Sequence, residues 1–249
     1  MEIQKIGQLP FLEKQRRRQI DKELILKFFK HERYVFFSCI QSLLSCSRSS
    51  AQRKLASLVK SGILKTDSLP ISNELYGQKT MKIYSFTSGG IEYARGLFDD
   101  ESFLLFDKSR LSMNSMKHSY VIQQIKARYM KKGLTVTYPI FSIKIADSYI
   151  DDLNICVEVE INIKSYARYN EIIGEYIYLI SQNSPTINEI HYILPDGVYK
   201  NRLIKIFRSF STVAVKEQTL MLDSSIFNIF KFYTIDEYYD YINNLDKIC

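Results

Sequence analysis

The stretch IADSYIDDLNICVEVEINIKSYARYNEIIGEY, residues 145–176, changes its period midway. Val157, Val159 and Ile161 alternate with Glu158, Glu160 and Asn162, the period-2 pattern of a strand, which places the two carboxylates on one face, two residues apart. From Tyr169 the apolar residues Ile172, Ile173, Tyr176, Ile177 and Ile180 recur at offsets 3, 4, 7, 8 and 11, leaving Arg168, Glu171 and Glu175 on the polar face of a long helix. A strand running into an amphipathic helix indicates a mixed α/β unit.

Working outward, a helix at about 113–132 (Val121, Ile122, Ile125, Tyr129) precedes strand candidates at about 134–138, 141–150 and 155–163. Beyond the long helix come a strand at about 188–194, a helix at 198–210, strands near 212–217 and 227–233, and a terminal helix from about Asp236. The order α-β-β-β-α-β is the core order of the restriction-endonuclease-like fold.

The first 98 residues follow another pattern. Ile20, Leu24 and Phe28 mark a helix over about 14–30, opened by Lys14, Arg16, Arg17 and Arg18. Phe36, Phe37, Ile40, Leu43 and Leu44 mark a second, and a third runs from about Ser49 to Ser61, with Leu55, Leu58 and Val59 inward and Gly62 as its stop. Strands at 63–64 and 82–86 flank a loop with Pro70, Asn73 and Gly77, and Thr87 opens a last helix. This order predicts a winged helix-turn-helix whose third helix suits a major groove. "LVKSGIL" and "IYSFTSGGIEYA" strongly resemble the end of that module in bacterial DNA-binding proteins. The fold class expected is α+β in two domains: a winged helix-turn-helix at 1–98, a linker at 99–114 opened by Asp99, Asp100 and Glu101, and a restriction-endonuclease-like α/β domain at 115–249.

Charge divides the same way. Residues 1–98 carry 17 Lys and Arg against 8 Asp and Glu, a net of +9, and residues 99–249 carry 17 against 19, a net of −2. A basic module suits a polyanion, since cations that neutralise phosphates release counterions. Arg16, Arg17, Arg18, Arg48, Ser49, Gln52, Arg53, Lys79 and Lys82 are the residues expected to meet double-stranded DNA. A protein-contact role is the bland alternative. The start lacks a signal-peptide pattern and no apolar run is long enough to span a bilayer, so a cytoplasmic protein without membrane contact is expected. Cys39, Cys46, Cys156 and Cys249 form no C-x-x-C pair, which fits reduced thiols rather than a zinc site or a disulfide framework.

Two neighbouring carboxylates repel unless a cation sits between them, and magnesium or manganese takes carboxylate oxygens. Glu158 and Glu160 are therefore candidate metal ligands, Asp147 on the preceding hairpin supplies a third oxygen, and Lys164 stabilises charge on a phosphate. Regular pairing puts Asp147 on the face of Ile143 and Ile145, so either a bulge re-aims it or Asp151 or Asp152 is the ligand. The plain alternative is a half-exposed strand with an acidic outer face.

With Asp147 in the hairpin, Glu158-Val159-Glu160 on the strand, Lys164-Ser165 with Arg168-Tyr169 at the helix start, and His118-Ser119 before an apolar run, the chain resembles plasmid mobilization relaxases of the MobC type and the broader replication-relaxation family. That resemblance implies a winged helix joined to a divergent PD-(D/E)xK nuclease-like domain, with Asp147, Glu158, Glu160 and Lys164 catalytic. It also implies nicking of one strand at an origin of transfer with Mg2+ or Mn2+, accessory mobilization proteins as partners, and a role in conjugation. The competing class is a replication or transcription regulator with a degenerate nuclease-like domain.

Other chemistries lack their residues. His31, His118 and His191 have no H-x-H spacing, and no P-loop, G-x-G-x-x-G or G-x-S-x-G is present. His118 reads as a partly buried structural histidine. Tyr149, Tyr166 and Tyr169 lie near the acidic strand as nucleophile candidates. The aromatic tail (Phe227, Phe230, Phe232, Tyr233, Tyr238, Tyr239, Tyr241) reads as core or a homodimer contact before a base-stacking surface.

Overall fold

The computed structural model describes residues 3–70, 80–107, 111–138, 146–182, 186–215 and 218–245. The chain is mixed α+β and divides into two units, Met1–Leu111 and Ser112–Cys249. Among the described residues no helix is long and apolar enough to cross a membrane.

In the first unit α1 (Ile3–Phe28), β1 (Val35–Phe36), α2 (Phe37–Leu44) and α3 (Arg48–Lys60) precede a hairpin of β2 (Leu64–Pro70) and β3 (Thr80–Phe86), and α4 (Ser88–Phe98) follows. Ser47 starts α3 by accepting the Ser50 N–H at 3.3 Å, and Gly62 follows its end at φ +72°, where a side chain would be strained. β3 is central: it pairs antiparallel with β2 from Leu64↔Phe86 to Pro70↔Thr80, and with β1 at Val35↔Tyr84. Two residues are too few to show alternation, so β1 was expected as the start of a helix. Thr87 caps α4 by accepting the Gly90 N–H at 2.9 Å, and its hydroxyl donates to the Gly62 carbonyl at 2.5 Å.

Two expectations need correction in this unit. α1 begins at Ile3, well before residue 14; from Phe11 on, its side chains are exposed or half-buried until Ile25, Leu26, Phe28 and Phe29, and Ile20 is 52% exposed. The expected linker contributes to this core. Phe103 is buried edge-on to Phe86 at 5.7 Å, and Phe106 is buried against Tyr34 at 5.3 Å. Apolar burial outweighs the local acidity of Asp99, Asp100 and Glu101.

The second unit runs α5 (Met113–Lys131), β4 (Val136–Thr137), β5 (Ser148–Ile150), β6 (Ile155–Val159), α6 (Tyr166–Gln182), β7 (Glu189–Leu194), α7 (Gly197–Arg208), β8 (Thr212–Val215), β9 (Gln218–Met221), β10 (Phe230–Thr234) and α8 (Ile235–Asn243). The anticipated α-β-β-β-α-β order is present. Five strands form one sheet in the order β10-β7-β6-β5-β4, with β4, β5 and β6 antiparallel and β6, β7 and β10 parallel. β8 and β9 form a separate ribbon; β9 was not anticipated.

Alternation along β6 separates two cores. Ile155, Val157 and Val159 pack with Val121, Ile125 and Tyr129 of α5 and Tyr238 and Ile242 of α8. Cys156, on the other face, packs with Tyr169, Ile173 and Tyr176 of α6 and with Leu203 and Phe207 of α7. Helices thus cover both faces of the sheet, which explains why β6 is buried along its whole length. Cys39 and Cys156 are buried free thiols and Cys46 is half-buried, while Cys249 lies outside the described residues.

Candidate functional site

Glu158 lies beside Tyr192 in the β6–β7 register, and the Glu160 N–H donates to the Ile193 carbonyl at 2.9 Å, so both side chains leave the sheet on the α6 face. Their exposures are 8% and 5%, which overturns the reading of a half-exposed acidic strand. Each carboxylate finds a protein partner instead. The buried Tyr176 hydroxyl donates to Glu158 Oε1 at 2.6 Å. Lys164 Nζ donates to Glu160 Oε2, and the Tyr169 hydroxyl accepts the Lys164 N–H at 3.1 Å. Ser165 then starts α6 by accepting the Arg168 N–H at 3.3 Å, which fixes Lys164 just ahead of the helix.

Asp147 stands just before β5. Its N–H donates to the Val157 carbonyl at 3.0 Å, and its Oδ2 accepts the Val159 N–H at 2.8 Å. The same oxygen lies 3.1 Å from His118 Nε2 on α5. Asp151 and Asp152 serve elsewhere: they accept from the Thr137 hydroxyl and the Thr135 N–H, both at 2.6 Å, and so hold β4. Of the alternatives left open, Asp147 is the one at the site. Ile143 and Ile145, from which its face was inferred, lie outside the described residues.

Asp147, Glu158, Glu160 and Lys164 line one cleft of about 520 Å3, together with His118, Arg168 and Glu175. Burial pushes the Glu158 carboxyl well above the usual range, and the Asp147 charge adds to this; the Tyr176 bond and Lys164 oppose it. Burial also raises Glu160, against the pull of Lys164. For His118 burial disfavours charge, but the Asp147 bond and charge outweigh it and the net direction is upward. His118 is therefore part of the site, where sequence alone suggested a structural role; its partner is 29 residues away. Tyr176 was read as core, and only its hydroxyl, invisible to periodicity, gives it a second task.

The donor set suits a hard divalent cation in kind, being three carboxylates. As the side chains stand, Glu158 is turned to Tyr176 and Glu160 to Lys164. No group of three or more His, Cys, Asp or Glu among the described residues is gathered to hold a metal ion.

The tyrosine candidates separate. Tyr149 is buried, its hydroxyl bonding the Asn154 side chain at 2.7 Å and the Thr186 carbonyl at 2.6 Å. Tyr169 is buried in the α6 core, and Tyr166 is exposed, stacked on Phe210 at 4.1 Å. The aromatic tail packs inward: Tyr233, Tyr238 and Tyr241 surround the buried His191.

In the first unit Ser49, Gln52, Arg53, Ala56, Ser57 and Lys60 make one exposed face of α3. Arg48, at its start, lies over the Phe37 ring at 5.8 Å. Arg16, Arg17 and Arg18 are exposed on α1, and Lys82 on β3. Lys79 lies outside the described residues. Arg17, Arg18 and Arg53 share a groove of about 910 Å3 between α1 and α3, which Arg16, Arg48 and Lys82 do not line.

No family model matches this chain, and no curated protein matches it. A solved structure with partial similarity is Lactococcus lactis ZitR, the C30AH42A mutant in apo form, at 14% identity, covering 52% of this chain and 92% of that one. The TM-score is 0.24, which establishes no common fold.

Proposed function

We propose that the chain is a cytoplasmic DNA-processing protein. Its first unit is a winged helix that holds duplex DNA, and its second is a restriction-endonuclease-like domain that nicks one strand, as a plasmid mobilization relaxase does at an origin of transfer. The observation that carries this reading is the gathering of Asp147, Glu158, Glu160 and Lys164 in one cleft, from three places in the sequence. Asp147, Glu158 and Glu160 would hold Mg2+ or Mn2+, which supplies charge stabilisation at the attacked phosphate. Lys164 and Arg168 bring positive charge to the same cleft, and His118, paired with Asp147, holds a proton beside it.

A supercoiled plasmid carrying the cognate origin, incubated with protein and Mg2+ or Mn2+, tests this. Nicking by the wild type that falls by orders of magnitude in Glu160→Ala, with duplex affinity kept, supports it. Normal nicking by Glu160→Ala overturns the site. A second reading, a non-catalytic regulator with a degenerate nuclease-like domain, draws support from the closed bonds of Glu158 to Tyr176 and Glu160 to Lys164. Wild-type protein that binds the origin and never nicks it under either metal decides for that reading.

A further inference from the structure

The groove between α1 and α3 has a charge balance unlike the rest of the first unit. Lys14, Arg17, Arg18, Lys22, Arg53 and Lys54 line it against a single carboxylate, Asp21, already bridged by Lys54 at 2.6 Å. Lys22 is held over the Tyr93 ring at 4.6 Å, its ammonium donating to the hydroxyl at 2.8 Å. Arg17 is bridged to Glu13 at 3.2 Å, with both side chains largely exposed, so the pair is weak and exchanges readily for another anion. One wall is the polar α3 face with Ser50, Arg53 and Ser57; the other is the stretch of α1 that departs from the core before Ile25.

We propose that this groove seats the phosphates of one strand of the duplex that α3 reads, with Lys14, Arg17, Arg18 and Arg53 meeting them. This rests on the reading of the first unit as a DNA-binding module, and it assigns the α1 contact to the groove-facing Lys14, Arg17 and Arg18 rather than to Arg16. The reach fits. From Lys14 to Lys22 the α-helix rises eight steps, about 12 Å, and phosphates on one strand recur about every 3.4 Å of duplex axis. α1 therefore spans roughly three phosphates. Ile20, exposed among these cations, supplies an apolar patch where a sugar edge can lie. A polyanion held against a polar, small-residue helix face points to nucleic acid rather than to an acidic peptide.

The test is fluorescence anisotropy of the full chain with a labelled random-sequence duplex across a salt series. Arg17→Gln/Arg18→Gln lowers the slope of log affinity against log salt by about 1.8, and Arg53→Gln by about 0.9. Arg16→Gln, on the same helix but outside the groove, changes it by much less than either. These side chains are exposed, so thermal melts stay unchanged and the variants are folded. Loss in Arg16→Gln equal to that in Arg17→Gln or Arg18→Gln overturns the groove as a distinct seat. So does an unchanged slope in the double variant of a chain that binds the duplex. Poly-glutamate binding as tightly as the duplex assigns the groove to acidic peptides and overturns the proposal too. A wild type that binds no duplex at low salt removes the DNA-binding reading itself.

Discussion

Glu158 shows how one side chain links fold stability to chemistry. Its carboxyl titrates well above the usual range because it is buried near Asp147. The unfolded chain therefore gives up this proton at lower pH than the folded one, and stability falls as pH rises above the unfolded value near 4.5. Glu158→Gln keeps an oxygen to accept from Tyr176 and removes the charge. It should raise the melting temperature at neutral pH, with the gain vanishing below about pH 4.5, as calorimetry across pH will show. Tyr176→Phe deletes the donor and should cost about 1–3 kcal/mol in urea unfolding. His191 has the opposite sign. Burial holds its pKa below the ordinary value despite the Glu189 bond at 2.7 Å, and it also meets the Tyr238 hydroxyl at 3.1 Å. Its stabilising share is complete above about pH 6.5 and is lost as pH falls toward the folded value. His191→Gln should flatten the loss of melting temperature between pH 7 and 5.

At the scale of elements, two glycines set how closely helices approach strands. A Cβ at Gly90 would sit 1.9 Å from the Ile63 carbonyl oxygen, and one at Gly174 2.0 Å from the Ala214 carbonyl oxygen. Both neighbours are backbone and cannot turn aside. Gly90→Ala should therefore lift α4 from the hairpin and Gly174→Ala should part α6 from β8, each at a cost of roughly 2–4 kcal/mol. Gly89→Ala, with nothing within 4 Å, should leave chemical denaturation within about 0.5 kcal/mol of wild type. Since α6 carries Tyr176, Gly174→Ala should also disturb the Glu158 bond.

For the whole molecule, the division into two units, each with its own core, predicts separable folding. A fragment ending at residue 98 loses Phe103 and Phe106, both buried in the first core. It should be less stable than a fragment ending at 107 by at least about 3 kcal/mol, read from circular-dichroism melts. If both fragments melt alike, the 99–107 stretch is a linker after all.

What the sequence by itself determined was the set of strongly periodic elements. The alternation at Val157–Ile161, the helical offsets from Tyr169 and the order of helices and hairpin in the first half are local patterns, and local patterns survive folding because burial selects them. It also determined that Glu158 and Glu160 share a face. What only the tertiary structure decided were pairings between distant residues. Asp147 over Asp151 and Asp152, His118 beside Asp147, Tyr176 beneath Glu158, and Phe103 and Phe106 in the first core depend on which strands and helices become neighbours. So does the burial of the acidic face: β6 lies inside its sheet with helices on both sides, and a glutamate's exposure is set by what packs over it, which no spacing along the chain records.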